Sequence, residues 1–180
     1  MDADDLMEAK VYVGTYRKYN EGNIEGKWLD LSDYIDKADF YEACSDLHKD
    51  EEDPEFMFQD WEGIPEGLIG ESWISETVFE LIHKANEITD FDAFLSFLDF
   101  TGYSLEDEDL NYLAQKFRDS FYGRFINEET FASLLIEEGY FGEIADSIKN
   151  YLDYGSIAND LFITDYYYDN ETNSVFYRNY

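Results

Sequence analysis

The sequence predicts an α+β fold made of three small domains, and three observations support this expectation. Alternating β-forming segments lie near both ends of the chain, and helical periodicity dominates its middle. Of the 180 residues, 44% are hydrophobic and 19% aromatic, far more apolar material than a disordered acidic chain contains. With only 2 prolines and no Ser/Gly-rich linker, the domains are expected to abut directly.

The first predicted domain, a small α+β unit, comprises residues 1–67. Residues 10–16 alternate and are rich in β-formers, so they predict a strand. A turn at residues 20–22 then leads to a returning strand at residues 27–31.

A helix and a further strand complete this domain. Ser32 is suited to cap a helix over residues 33–47. The side chains expected to face inward from it are Ile35, Ala38, Tyr41 and Leu47. After a loop at residues 50–54, residues 55–61 alternate as a short strand.

The second predicted domain, residues 68–118, is helical and acidic. From Ser75 the apolar residues recur with helical period, which indicates an amphipathic helix. Its predicted inner face carries Val78, Phe79 and Ile82, and its outer face carries Glu76, Glu80 and Glu87. Thr89 is expected to cap a second helix ending at Gly102, and Ser104 to cap a third that runs to about residue 119.

The third predicted domain, residues 119–180, returns to α+β character. Residues 121–126 predict a strand, after which Asn127 caps a helix that Gly139 ends. The remaining segments are a helical stretch at 143–152, the segment 154–162 that follows it, and a β-hairpin formed by 166–168 and 175–177.

The most unusual property of the chain is its charge. It has 43 acidic residues against 12 basic ones, a formal net charge of −31. A polyanion repels phosphates, so DNA or RNA binding is excluded and proteins that bind DNA become the expected partners. A salt-adapted housekeeping protein would also be acidic, but the 34 aromatic residues retained here argue against that class.

The acids are spread along the chain and are densest between residues 50 and 115. That stretch has 19 acids and one base, Lys84. Two protomers would carry 62 net charges, the charge of about 105 Å of duplex DNA, whereas a compact domain of this length has a radius of gyration of only about 16 Å. To present charge at the density of DNA, the molecule would have to be elongated, dimeric or both.

Membrane and secreted proteins are also excluded by the sequence. No apolar run approaches the ~20 residues that span a bilayer, and the N-terminus is acidic where a signal peptide would be basic and then apolar. The single cysteine, Cys44, cannot form an internal disulfide. We expect a soluble cytoplasmic protein.

Motifs for catalysis or cofactor binding are lacking. Cys44 and His48 lie four residues apart, but a zinc site needs three or four ligands. The segment 22–28 lacks the spacing and the Ser or Thr of a phosphate loop, and 169–180 lacks the Gly and Glu of a calcium loop. Among 43 acids some pair always has the separation of a glycosidase, so that pattern is uninformative. We predict a protein that is not an enzyme and uses no metal or cofactor.

Several short motifs occur in order along the chain. The first are Val11-Tyr12-Val13, Lys18-Tyr19-Asn20-Glu21-Gly22 and Gly26-Lys27-Trp28; later come Phe58-Gln59-Asp60-Trp61-Glu62, then residues 139–144, 150–154 and Asp160-Leu161. These stretches resemble the opening segment, a middle segment and the C-terminal antirestriction motif of the ArdA antirestriction proteins.

The resemblance implies an elongated, curved homodimer of three small domains per protomer, joined through the C-terminal domains. Its surface carboxylates would imitate the phosphates of B-form DNA. The inhibitor would occupy the DNA groove formed by the specificity and modification subunits of type I restriction-modification enzymes, so that an incoming mobile genetic element escapes restriction.

We expect the mimicry to depend on many carboxylates of the dense acidic stretch. The candidates are Asp50, Glu51, Glu52, Asp53, Glu55, Asp60, Glu62, Glu66, Glu71, Glu76, Glu80, Glu87, Asp90, Asp92, Glu106, Asp107, Glu108 and Asp109. The alternatives are an acidic mimic or adaptor aimed at another basic DNA-binding protein, such as a nucleoid protein or repressor, or a histone-like chaperone that binds any basic protein.

A second candidate surface lies in the C-terminal motif. Its apolar residues are spaced so that they could share one face; they are Tyr151, Tyr154, Ile157, Leu161 and Phe162. Two interpretations are open at this point, a dimer interface and the core of the C-terminal domain.

Overall fold

A computed structural model of the chain describes residues 1–178, which form nine helices and eight strands in a mixed α/β arrangement. The helices are α1 (Ala3–Met7), α2 (Tyr16–Asn20), α3 (Lys37–Leu47), α4 (Glu76–Lys84), α5 (Phe91–Thr101), α6 (Leu110–Ser120), α7 (Glu128–Glu137), α8 (Asp146–Lys149) and α9 (Tyr154–Thr164). The strands are β1 (Lys10–Thr15), β2 (Lys27–Asp30), β3 (Phe56–Glu62), β4 (Ile69–Gly70), β5 (Trp73–Ile74), β6 (Phe121–Arg124), β7 (Tyr166–Asp169) and β8 (Ser174–Tyr177). None of these helices has the length and apolar character needed to cross a bilayer.

The strands form three small antiparallel sheets. The first has the order β2-β1-β3, the second is the pair β4-β5, and the third has the order β6-β8-β7. In the first sheet Val11 lies opposite Leu29 on one side and Trp61 on the other. The predicted strands near both ends and the C-terminal hairpin are confirmed.

The chain divides into two compact units. The first comprises Met1–Phe94 with Gly102–Tyr112, and the second comprises Leu95–Thr101 with the described chain from Leu113 onward. All three tryptophans, Trp28, Trp61 and Trp73, belong to the first unit. The division into domains 1–67, 68–118 and 119–180, and the dimer, stay predictions.

The core of the first unit is aromatic. The face that α3 buries in this core differs from the predicted one. The Phe40 ring lies 5.7 Å from that of Phe58 and 5.9 Å from that of Phe79, between ring centroids. The helix therefore buries Phe40 and Cys44. Of the residues predicted to face inward, Ile35 is 75% exposed and Ala38 is exposed, so these two predictions are wrong. Tyr41 and Leu47 are half-buried, and the Tyr41 ring packs against that of Phe40 with centroids 5.8 Å apart.

This difference arises from where α3 begins. The Asp36 carboxylate accepts a 2.9 Å hydrogen bond from the Asp39 N–H, so Asp36 is the N-cap. Residues 31–33 instead form a 3₁₀ turn, so Ser32 lies inside that turn and is not the N-cap of α3. Ile35 thus precedes the helix.

The third helix of the middle region also begins later than predicted. The Ser104 carbonyl accepts hydrogen bonds from the N–H groups of Asp107 and Glu108, which closes a turn. The Asp109 carboxylate then accepts a 3.0 Å bond from the Tyr112 N–H at the start of α6. The expected capping box at Ser104 is replaced by an Asp cap five residues later.

The second unit has its own aromatic core around Phe131. That ring makes edge contacts with Tyr122 and Phe125 at 5.0 Å and with Tyr166 at 4.7 Å, and α7 and α9 pack around it. The start of α7 is as predicted, because Asn127 accepts a 2.8 Å bond from the Thr130 N–H. The stretch 143–152 is less helical than expected, with only α8 formed.

Candidate functional site

Most of the predicted phosphate-mimicking carboxylates face solvent. Of the eighteen, fifteen are exposed, namely Asp50, Glu52, Asp53, Glu55, Asp60, Glu62, Glu66, Glu71, Glu76, Glu80, Glu87, Glu106, Asp107, Glu108 and Asp109. Asp90 and Asp92 are half-buried at the start of α5. The remaining residue, Glu51, is buried.

Helix α4 illustrates how the sequence presents these carboxylates. Ser75 caps the helix by accepting a 3.3 Å bond from the Thr77 N–H. Its buried face carries Val78, Phe79, Leu81 and Ile82. Because the apolar residues take the inner face, the predicted outward position of Glu76 and Glu80 is confirmed.

Glu51 departs from the solvent-facing position expected for it, because long-range partners hold it inside the protein. Its side chain is 5% exposed. One carboxylate oxygen accepts a 2.7 Å hydrogen bond from the Thr15 hydroxyl, and the other lies 3.3 Å from Nε of Arg17. The Lys18 ammonium lies 3.8 Å from the first oxygen. The Glu51 charge is therefore matched internally.

Lys18 connects this carboxylate to two further groups. Its Nζ lies 3.0 Å from the Asp50 carboxylate and 3.1 Å from Nδ1 of His48. Because an ammonium group only donates, Nδ1 accepts, and the His48 Nε2–H then donates to the Val13 carbonyl over 3.3 Å. We call this group the Lys18 cluster; its members are Thr15, Arg17, Lys18, His48, Asp50 and Glu51.

Burial and charge shift the titration of two members of the Lys18 cluster. Burial lowers the pKa of His48 below its ordinary value, and the nearby Lys18 ammonium lowers it further. The hydrogen bond from Lys18 lowers the pKa of Asp50. Both shifts favour a neutral imidazole beside an ionised carboxylate.

An acidic cleft lies mostly outside the stretch on which the sequence prediction concentrated, with Glu62 as the predicted carboxylate that it shares with that stretch. It encloses about 580 Å³ beside α1 and is lined by Asp5, Glu8, Asp30, Asp33 and Glu62, with Lys10 among them. Lys10 Nζ lies 2.9 Å from Glu62, and this hydrogen bond raises the pKa of Lys10. The signal for it in the sequence was the acidic N-terminus, residues 1–8.

The Cys44 thiol and the His48 imidazole are both buried. Burial raises the pKa of the Cys44 thiol to about 12, which disfavours the thiolate that binds metals. Within residues 1–178, no group of three or more His, Cys, Asp or Glu side chains is arranged to hold a metal ion.

The five apolar residues of the C-terminal motif divide between core and surface. Leu161 and Phe162 are buried in the Phe131 core, and Ile157 packs against it. Tyr154 is half-buried at the start of α9, and its hydroxyl donates to the Lys149 carbonyl over 3.3 Å. Only Tyr151 is strongly exposed, at 86%.

Other exposed aromatic residues lie in the same motif and were missed as surface candidates. Tyr140 and Phe141 are about half exposed and contact each other with ring centroids 5.0 Å apart. Together with Ile157 and Leu161 they line a cleft of about 230 Å³. The sequence signal was the motif itself, residues 139–144.

The chain matches a known family over nearly its whole length. The model of a family described as antirestriction protein (ArdA) matches residues 11–175. No curated protein is similar enough to the chain to serve as a comparison. The chain therefore belongs to the ArdA family of antirestriction proteins, and this membership implies an antirestriction function that involves interaction with restriction enzymes.

Proposed function

We propose that this protein inhibits type I restriction-modification enzymes by imitating B-form DNA. It would occupy the DNA groove formed by the specificity and modification subunits, and no catalytic step would be needed. Lysine and arginine side chains that normally contact phosphates would contact its carboxylates instead.

The observation that carries this proposal is the large excess of carboxylates on the exposed surface. Fifteen of the eighteen candidate carboxylates face solvent, in a chain with a formal net charge of −31. Such self-repulsion lowers the stability of a compact fold, so a functional requirement accounts for its retention. A phosphate-binding groove is the kind of surface that this charge complements.

Inhibition would arise from many weak contacts. Each exposed carboxylate in high dielectric contributes little on its own, and long-range attraction speeds the encounter between the two proteins. Inhibition should therefore weaken as salt is added. Salt-insensitive inhibition would point to an apolar contact and would contradict the proposal.

We also propose that two protomers pair through the C-terminal motif. The exposed Tyr151, with the half-exposed Tyr140 and Phe141, supplies aromatic surface of the kind enriched at protein interfaces. Leu161 and Phe162, which lie in the protomer's own core, would support this surface from beneath.

A competition titration tests the proposed inhibition. Labelled target DNA is bound to a type I modification methyltransferase, and the protein is added at two salt concentrations, with and without histone as a decoy. Displacement at stoichiometric dimer, lost at high salt and little affected by histone, supports specific mimicry. Absence of displacement by the folded protein contradicts it.

The same titration is run on a variant that is designed to keep the fold and to lose the charge of one acidic face. Glu76→Gln, Glu80→Gln and Glu87→Gln together remove three exposed charges around α4 without changing side-chain size. This variant should displace DNA less well. Loss of displacement when histone is added would instead favour a general adaptor, because it would mean that the protein binds histone as well as it binds the methyltransferase.

A further inference from the structure

The acidic loop, residues 50–55 between α3 and β3, is held at both ends by one short segment. At its start, Glu51 is fixed by Thr15, Arg17 and Lys18 of the Lys18 cluster. At its end, the Glu55 carbonyl accepts a 3.0 Å hydrogen bond from the Tyr16 N–H. The anchors are thus four consecutive residues, 15–18.

The span between these anchors carries two exposed carboxylates. Glu52 and Asp53 face solvent, and Pro54 follows them. The proline ring restricts its own φ and also the backbone of Asp53, which limits the conformations open to the span. Carboxylates held in this way lose less conformational freedom when a partner binds them.

We propose that Lys18 is a positioning residue for the inhibitory surface, fixing the acidic loop so that Glu52 and Asp53 meet the basic groove of the partner. The proposal rests on the proposed function. Lys18 acts through Asp50, Glu51 and the buried His48, and its own side chain is mostly covered.

The direction in which one substitution changes inhibition distinguishes a positioning role from a simple effect of net charge. Lys18→Met changes the formal net charge from −31 to −32, so charge counting predicts equal or tighter binding to a basic partner. If Lys18 positions the loop, the same substitution raises the concentration needed for inhibition, by about fivefold. Lys49→Met is the matched control, because it makes the same charge change at an exposed neighbour; it should not weaken inhibition.

A double-mutant cycle supplies a readout that a merely structural role would not move. In the native background, Glu52→Gln with Asp53→Asn should weaken displacement of DNA. In the Lys18→Met background, the same pair should have no further effect, because the loop is no longer presented. Equal effects in both backgrounds, or full inhibition by Lys18→Met, would overturn the proposal. If circular dichroism shows that Lys18→Met does not fold, Glu51→Gln replaces it in the cycle. The measured quantity is again the difference between the effects of the Glu52→Gln and Asp53→Asn pair in the two backgrounds.

The His48 imidazole provides an independent check by NMR titration. Lys18 lowers the pKa of His48, so Lys18→Met should raise it. An unchanged value would mean that the Lys18 cluster does not form in solution, and the positioning role would be rejected. If the native protein displaces no DNA although this pKa responds, the proposed function fails, and the positioning role fails with it.

Discussion

The hydroxyl of Thr15 donates a buried 2.7 Å hydrogen bond to the Glu51 carboxylate, 36 residues further along the chain. Thr15 also caps α2, because its hydroxyl oxygen accepts a hydrogen bond from the Lys18 N–H. One side chain therefore starts a helix and satisfies a buried charge.

Replacing this hydroxyl should destabilise the protein. Thr15→Val preserves the shape but leaves a buried charged acceptor without one of its donors, so we expect the free energy of unfolding to fall by about 1–3 kcal/mol. Thr15→Ser keeps the hydroxyl and should retain most of the stability. Urea denaturation of the two variants checks this, and equal losses would count against the hydrogen bond.

Acidification should weaken the fold through His48. Its native pKa lies below the ordinary 6.5, so the unfolded chain binds more protons and His48 contributes stability above that pH. This contribution should be lost as the pH falls from 6.5 through the lowered native pKa. Unfolding free energies measured between pH 7 and 5 should decline more steeply for the native protein than for His48→Gln. His83→Gln, which removes an exposed imidazole, is the control; parallel curves for the native protein and His48→Gln would refute the prediction.

Two residues of the C-terminal motif should separate core from interface. Leu161→Ala removes buried surface and should cost about 2–5 kcal/mol of unfolding free energy. Tyr151→Ala, at an 86% exposed position, should change stability by less than about 0.5 kcal/mol at a concentration where the protein is monomeric. Sedimentation should show weaker self-association for Tyr151→Ala. An unchanged dimer of this variant would remove Tyr151 from the proposed interface.

Single neutralisations on α4 should have graded and opposite effects on stability and inhibition. Glu76 and Glu80 are exposed and lie four residues apart, a like-charge spacing that destabilises a helix by about 0.2–0.5 kcal/mol. Glu80→Gln should therefore stabilise the fold by that amount while changing inhibition less than about twofold. Thermal melts and the competition titration check the two parts. Abolition of inhibition by this one change would contradict mimicry through many weak contacts.

The sequence predicts the local elements best where one residue dominates a boundary. Asn127 before an apolar run located the start of α7, and Ser75 located that of α4. The prediction of a helix start fails where two residues could each be the N-cap. Ser32 and Asp36 both precede α3, and only packing of Phe40 against Phe58 and Phe79 selects the phase that makes Asp36 the cap.

For the candidate site, the sequence did not predict contacts between residues that lie far apart along the chain. An acidic run predicts solvent exposure for every member, and Glu52 and Asp53 follow that rule. Glu51 does not, because the partners that stabilise its burial lie more than thirty residues earlier, at Thr15, Arg17 and Lys18. The residues next to Glu51 in the sequence do not indicate these long-range contacts.

The placement of all three tryptophans in the first unit gives that unit an optical signal of its own. Emission excited at the red edge of the absorption band reports on Trp28, Trp61 and Trp73 alone, whereas far-ultraviolet ellipticity reports on the backbone of both units. Melting followed by tryptophan emission and by far-ultraviolet ellipticity will coincide if the units denature as one cooperative block. Two separate melting midpoints would show that the two units unfold independently.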